Sequence, residues 1–328
     1  MISWALMLNQ ASRVVSIIAN SSKKYSRLRK MGLWSRIMNG KFYTISAKPA
    51  RLFLVYTFTF ASMANSPLVS IITIVYNGEK HLEQTIQSVV EQSYAPIEYI
   101  MIDGGSTDNT LSIIKQYEQH LAFWLSEKDK GISDAFNKGL KKAKGEIIGM
   151  INADDWYEPD TVEKVVSAIG DGDITYGDLR LLKDGKTDFI LRGNHEFLAR
   201  EMTINHPTVF VKKACYDRFG LFNEQYTCAM DYDMMLRLMV NHCRFTYIPA
   251  VLANMRWEGL SDARWMLGCK ETLAIKNAYF PKEKIKNQLY FYKHVLAIAI
   301  PKFLQKLKLD WLTKSYRTRF SRVKKHYD

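Results

Sequence analysis

The 328-residue sequence contains no apolar run of the roughly 20 residues that a membrane-spanning helix needs. Its most apolar segment, Leu52–Ala64, is 13 residues long and carries Thr57, Thr59 and Ser62. Cysteine is scarce: Cys215, Cys228, Cys243 and Cys269 lie 13, 15 and 26 positions apart without a CxxC pair. That excludes a zinc finger and a dense disulfide framework, and it suits a reducing cytosol with the thiols acting as small hydrophobes. No GxGxxG follows the first strand-like segment, and no GxxxxGK followed by Ser or Thr occurs, which removes the two commonest nucleotide-binding folds. With 47% apolar and 24% charged residues, wholesale disorder is excluded as well.

Acid is missing from one end. Residues 1–66 hold ten Lys and Arg and no Asp or Glu, while residues 281–328 hold thirteen against three, so each end carries +10. The total of +13 leaves −7 for residues 67–280, a poor profile for gripping a phosphate backbone, so no nucleic-acid partner is expected. Basic ends beside an acidic body suit an anionic membrane surface better. The cluster Lys23–Lys30 follows an apolar stretch rather than preceding one, the reverse of a secretory signal. Residues 1–62 have the composition of a transit peptide, the alternative being translation from Met63.

From residue 67 a unit repeats. The β-branched run Leu68–Val75 leads to Tyr76-Asn77-Gly78 and an amphipathic helix over Lys80–Gln92. Ile97–Ile102 leads to Asp103-Gly104-Gly105-Ser106-Thr107-Asp108 and a helix to His120; Leu121–Leu125 leads to Asp129-Lys130-Gly131 and a helix to Lys144. Glu146–Ile151 leads to Asn152-Ala153-Asp154-Asp155 and a helix opened by Pro159. Four βα units predict an α/β fold with a mostly parallel, doubly wound sheet, whose post-strand loops gather on the edge where ligands bind. Further on, the pattern predicts strands at Asp173–Gly177, Thr208–Lys212 and Phe245–Ile248, helices at His195–Arg200 and Asp231–Val240, and a turn at Phe219–Glu224. Residues 262–325 read as helical and basic, interrupted at Pro281 and Pro301.

Asp154 and Asp155, adjacent after a buried strand, repel each other, and a hard cation offsets that arrangement. The plainer alternative is a solvated turn in which Asp155 caps the next helix. Asp231, entering a helix beside Met230 and Tyr232, suits a general base whose pKa burial adjusts, or simply a first-turn acid. Asp233 is the weaker candidate. His206, alone before a strand, reads as a structural hydrogen-bond partner.

Four segments, SIITIVYNGEKHLEQTIQSV, YIMIDGGSTDNTL, SEKDKGISDAFNKGLKKAKGEIIGMINADDWY and CAMDYDMMLRL, in that order between Leu68 and Leu252, resemble glycosyltransferase family 2. The resemblance extends to bacterial colanic acid and polysaccharide enzymes. It implies a GT-A, Rossmann-like fold and inverting transfer of a hexosyl-type sugar from a UDP- or GDP-sugar donor to a glycan or lipid-linked saccharide in envelope polysaccharide biosynthesis. It places Thr73, Tyr76 and Asp103 around the base, and Asp129, Asp134 and Asn137 along the nucleoside and donor sugar. Asp154 falls at the ribose or sugar hydroxyls, Asp155 at Mg²⁺ or Mn²⁺ on the diphosphate, and Asp231 at the catalytic base. Two positions depart from the family pattern: Gly104 stands where a second Asp is frequent, and Met230 where a Glu is frequent.

The implied organisation is a basic N-terminal extension (1–66), a catalytic domain (67–260) and a helical basic C-terminal region (261–328). The tail, with apolar and Lys residues interleaved over Leu289–Leu312 and a basic stretch Arg317–Lys325, suits a peripheral position on the cytoplasmic face of the inner membrane; packing on the catalytic domain is the alternative. The competing enzyme class is a metal-dependent nucleotidyltransferase-like protein, and the competing non-enzymatic class is a binder of anionic polymers.

Overall fold

The structure is a computed structural model that describes residues 33–38, 41–46, 66–183, 185–256, 264–307 and 309. The expectations for a start at Met63, for Leu52–Ala64 and for Arg317–Lys325 lie outside those residues. Strands β1 (Leu33–Met38) and β2 (Lys41–Ser46) pair antiparallel, Leu33 opposite Ser46.

The second unit, residues 67–328, contains the repeating units foreseen in the sequence. In order these are β3 (Val69–Val75), α1 (Leu82–Val90), β4 (Ile97–Asp103), α2 (Thr110–Gln116), β5 (Phe123–Ser126), α3 (Ile132–Lys142), β6 (Ile147–Asn152), β7 (Trp156–Tyr157) and α4 (Thr161–Ile169). β8 (Ile174–Lys183), β9 (Lys186–Leu191), β10 (Phe210–Lys212), α5 (Lys213–Phe219), α6 (Met230–Val240), β11 (Phe245–Arg256), α7 (Trp265–Tyr279) and α8 (Lys284–Lys306) follow. The nine-stranded sheet runs β5-β4-β3-β6-β10-β8-β11-β7, with β9 on β8. β4–β5, β3–β4, β3–β6 and β8–β11 are parallel; the short β10 enters antiparallel between β6 and β8.

β3 is buried along its whole length because both faces are covered, as its unbroken apolar run requires. Val69, Ile71 and Val75 pack toward Leu82, Ile86 and Val89 of α1 and Val162 and Val165 of α4. Ile72 and Ile74 pack toward Phe136 and Leu140 of α3 and Met234 and Leu238 of α6. Each such side chain contributes about 1.5–3 kcal/mol on burial. Gly149 is required where β10 crosses β6, because a Cβ there would sit 2.4 Å from the Phe210 ring.

Several elements exceed the local pattern. β8 runs on to Lys183 and folds back as β9, and β11 reaches Arg256, because pairing with each other and with β7 extends them beyond their apolar cores. α5 precedes the turn at Phe219–Glu224, and the helix expected over His195–Arg200 is a 3₁₀ turn, His195–Phe197. The break expected at Pro301 is absent: α8 continues through it to Lys306, whereas Pro281 opens a separate 3₁₀ turn. Among the described residues no helix is long and apolar enough to cross a membrane.

Candidate functional site

The chain order reverses at β3, with β4 and β5 on one side and β6 on the other, so the loops after β3 and β6 flank a crevice at the carboxyl edge. That edge is preorganised by side chains bonded to backbone. Asn77, in left-handed conformation (φ 49°), accepts from the Thr107 N–H at 2.9 Å while its own N–H donates to Ser106 Oγ at 2.8 Å. The Gly78 N–H donates to Thr110 Oγ1, and the Glu79 N–H to Asp108 Oδ2, so the β3 and β4 loops are joined along their length. Tyr76, at the head of this seam, is 64% exposed and offers a flat ring at the rim.

Asp103 lies beneath this surface. It is fully buried at the end of β4, and its carboxylate accepts from the Gly105 N–H (3.1 Å), the Ser106 N–H (3.0 Å), Ser126 Oγ (2.6 Å) and Ser106 Oγ. Its acceptor capacity is used in building the loop. The space a side chain at 104 would fill belongs to Asp129: a Cβ on Gly104 would lie 2.4 Å from Asp129 Oδ2. Asp129 is half-buried, and its other oxygen accepts from the Gly131 N–H at 2.9 Å, opening α3. A carboxylate is thus present beside Gly104, delivered from the β5 loop.

Three other anticipated residues sit deeper than their motifs imply. Thr73 is wholly buried in mid-strand with its hydroxyl 3.1 Å from Tyr99 Oη, two residues short of the strand end. Asn137 is buried and spends its amide on α3's neighbour, donating to Phe222 O (3.0 Å) and Glu224 Oε1 (3.2 Å) and accepting from the Phe222 N–H (2.9 Å). Asp134 accepts from the Lys130 N–H at 3.0 Å and pairs with Lys138 at 3.1 Å. These two carry loops rather than open carboxylates or amides.

The β6 loop separates its two acids. Asp154 is half-buried and its carboxylate has no hydrogen-bond or ion-pair partner among the described residues. Asp155 is 1% exposed with Oδ1 unpartnered, and burial first, then the charge of Asp154, push its carboxyl well above the usual range against an Asn152 hydrogen bond and Arg256. The inward turn follows from the next two residues, since Trp156 and Tyr157 pair with Asn254 and Ala253 of β11. Thr85 of α1 secures the loop by donating to Ala153 O (2.9 Å) and Asp155 O (2.7 Å). Arg256 secures it from the far side, donating to Asp154 O and Gln84 Oε1 while lying 4.5 Å over the Trp156 ring. No group of three or more His, Cys, Asp or Glu among the described residues forms a metal cage. An open carboxylate and an orphaned carboxylate oxygen instead fit a hard divalent ion that draws its other ligands from a diphosphate and water.

Asp231 opens α6. Burial raises its pKa to about 6, against N–H donation from Tyr232 (2.7 Å) and its own backbone, with the charge of Glu271 adding to the rise. The α6 entry is tied to the same edge through Ser133 at the start of α3, which donates to Tyr226 O at 3.0 Å. Glu271 of α7 holds it from behind, accepting from the Thr227 (3.0 Å), Cys228 (2.8 Å) and Ala229 (2.8 Å) N–H groups. Glu271 and Arg256 carry no signal in the sequence, and the approach of Asp129 to Gly104 carries none either, because no local pattern marks a contact between distant segments. Asp233 is structural: it pairs with Arg237 and accepts from Tyr279 at 3.1 Å. His206, pushed down to about 4 by burial, packs 5.3 Å from Phe136, and the four cysteines are free.

The chain has relatives in sequence and in fold. The chain is 32% identical over 213 residues to an uncharacterized glycosyltransferase of Mycobacterium tuberculosis, covering 62% of this chain and 80% of that one. Its fold is shared with S. aureus TarS in complex with UDP-GlcNAc (TM-score 0.54, 19% identity, 72% of this chain and 77% of that one). It is shared too with the mannosyltransferase PcManGT of Pyrobaculum calidifontis in complex with GDP-Man and Mn²⁺ (TM-score 0.52, 17% identity, 82% and 91%). Residues 70–234, which span the crevice loops from β3 to the Asp231 turn, match the model for glycosyl transferase family 2, and the chain belongs to that family with the GT-A fold of its structural neighbours.

Proposed function

We propose that the protein is an inverting glycosyltransferase that moves a sugar from a UDP- or GDP-sugar to a hydroxyl of a glycan or lipid-linked saccharide in envelope polysaccharide biosynthesis. The observation that carries this reading is the presence on one chain of a carboxylate raised to about 6, Asp231, and, in the β6 loop, the unpartnered Asp154 and the orphaned oxygen of Asp155. Tyr76 and Asp129 receive the nucleoside, Tyr76 by its exposed ring and Asp129 by the carboxylate beside Gly104. Thr73 and Asp103 act underneath, setting the β3 and β4 loops, and Asp134 and Asn137 set the loops on either side of α3.

The resemblance implies Asp155 as the metal ligand, but Asp155 is buried behind Asp154, so in this proposal the more open Asp154, with Asp155 behind it, would hold Mg²⁺ or Mn²⁺. Bound there, such an ion would supply positive charge to offset that of the diphosphate leaving group. Asp231 accepts the proton of the acceptor hydroxyl as its oxygen bonds to the anomeric carbon; the bond from that carbon to the diphosphate oxygen breaks, and its electron pair leaves with the nucleotide. A base with pKa near 6 is mostly ionised at neutral pH yet still basic enough to take that proton. Attack opposite the leaving group inverts the configuration.

Nucleotide sugars screened with Mn²⁺ or Mg²⁺ for protection against thermal unfolding test the donor. A true donor raises the midpoint by binding only the native state. Protection by every nucleotide alike, with or without metal, would sink the reading.

A further inference from the structure

We infer that α8 docks the protein on an anionic lipid bilayer, lying in the headgroup layer with its axis along the surface. Ile285, Leu289, Tyr292, Leu296, Ile300 and Phe303 are 39% to 81% exposed. At about 100° per residue they fall within an arc of about 80° and run for about 27 Å. The opposite face is committed to the protein, which sets the stripe outward. Asn287 is buried and donates to Asn277 at 3.1 Å, Tyr290 donates to Glu201 at 2.7 Å, and Lys276 of α7 sits 4.0 Å over the Tyr290 ring.

Charge selects the occupant. Lys286 and Lys293 border the stripe on one side, Lys284 and Lys302 on the other, and no acid occurs between residues 284 and 307. The nearest acid along the chain, Glu283, pairs with Lys286 at 2.8 Å. A second copy placed face to face would set lysines against lysines, since α8 itself carries no acid. Anionic headgroups reverse that penalty, while the lysine stems reach outward from an apolar face buried at the acyl boundary. These four lysines are among thirteen Lys and Arg in residues 281–328, against three acids, and the other nine act in the same direction. This inference is independent of the transfer reaction.

The full-length protein, sedimented with vesicles of phosphatidylglycerol in phosphatidylcholine and of phosphatidylcholine alone, tests it. Wild type partitions onto the anionic vesicles far more than onto the neutral ones. Leu289→Asp with Leu296→Asp weakens that partition about a hundred-fold, from the lost apolar burial. Lys286→Gln with Lys293→Gln weakens it about five-fold per lysine. Leu296→Ser alone gives an intermediate loss. Unchanged melting of each variant shows that the fold is intact. Undiminished binding by the double Asp variant would mean that the basic tail acts alone and would overturn the proposal. So would a lipid-free dimer of the wild type that the same variant dissociates.

Discussion

The carboxyl edge of the parallel strands and the outer face of α8 each break an ordinary rule of folding, in opposite directions. The edge hides groups that prefer water: Asp155 is buried with an unpartnered oxygen, and Asp231 is half-buried at about 6. α8 shows water a row of side chains that prefer burial. The first violation costs stability in the free protein and would be relieved by the proposed cation and proton donor; the second would be relieved by an apolar phase. The chemistry of each cost therefore names the chemistry of its partner, and α8 can be altered without touching the edge.

The sharpest break is Asp231→Asn, expected to lower kcat about 10²–10⁴-fold. Donor-induced thermal protection should persist, because in the proposed reaction the residue takes its proton from the acceptor. The same change should raise the unfolding midpoint at neutral pH. A carboxyl whose folded pKa lies above its unfolded one binds more protons folded, so its ionised form destabilises the native state, here by on the order of 2 kcal/mol above pH 6. Activity falling while stability rises would separate a functional acid from a structural one. Retained turnover would place the base elsewhere.

Glu271→Ala should come next. It leaves the Thr227, Cys228 and Ala229 N–H groups without their acceptor, costing on the order of 3 kcal/mol and loosening the entry to α6. Denaturant titration gives the stability change, and a kcat loss with donor KM unchanged marks it as a positioning residue. Asp154→Ala should abolish the metal dependence of donor protection while leaving the melting of the ligand-free protein within about 0.5 kcal/mol, as for other exposed-side substitutions. An equal loss of metal dependence in Asp155→Asn and none in Asp154→Ala would reverse their assignment.

The pH profile sharpens the comparison further. With Asp231 at about 6, kcat should be level above that value and fall about tenfold per unit below it. A profile with no break between pH 5 and 7 would remove Asp231 as the titrating group. The smallest effect belongs to Leu296→Ser, which should leave kcat on a soluble acceptor unchanged, since the residue lies on the far side of α8 from its packed face.

Local pattern was enough for the four βα units, because an apolar run, a polar turn and a 3.6-residue periodicity each need only neighbouring residues. Asp231 was legible for the same reason, at the entry to an apolar helix. Thr73 was not, because its placement depends on the Tyr99 hydroxyl of the adjacent strand. Asn137 was read as lining a ligand, yet its partner Phe222 is 85 positions away. The strand pairs that lengthen β8 and β11 were invisible for the same reason: ladder bonds extend strands whose own residues alternate weakly.

What the amino-acid order determined by itself is the supply: Asp or Asn in each loop after β3, β4, β5 and β6, an acid at the head of α6, a glycine at 104, and a long acid-free helix edged with lysine. Which of those carboxylates meets solvent was decided only in three dimensions. β7 pairing with β11 turns Asp155 inward and leaves Asp154 at the rim, Asp129 fills the space beside Gly104, and α7 brings Glu271 under the turn that carries Asp231. A sequence states which charges exist, but desolvation is a property of everything packed around them, and most of that comes from segments far along the chain.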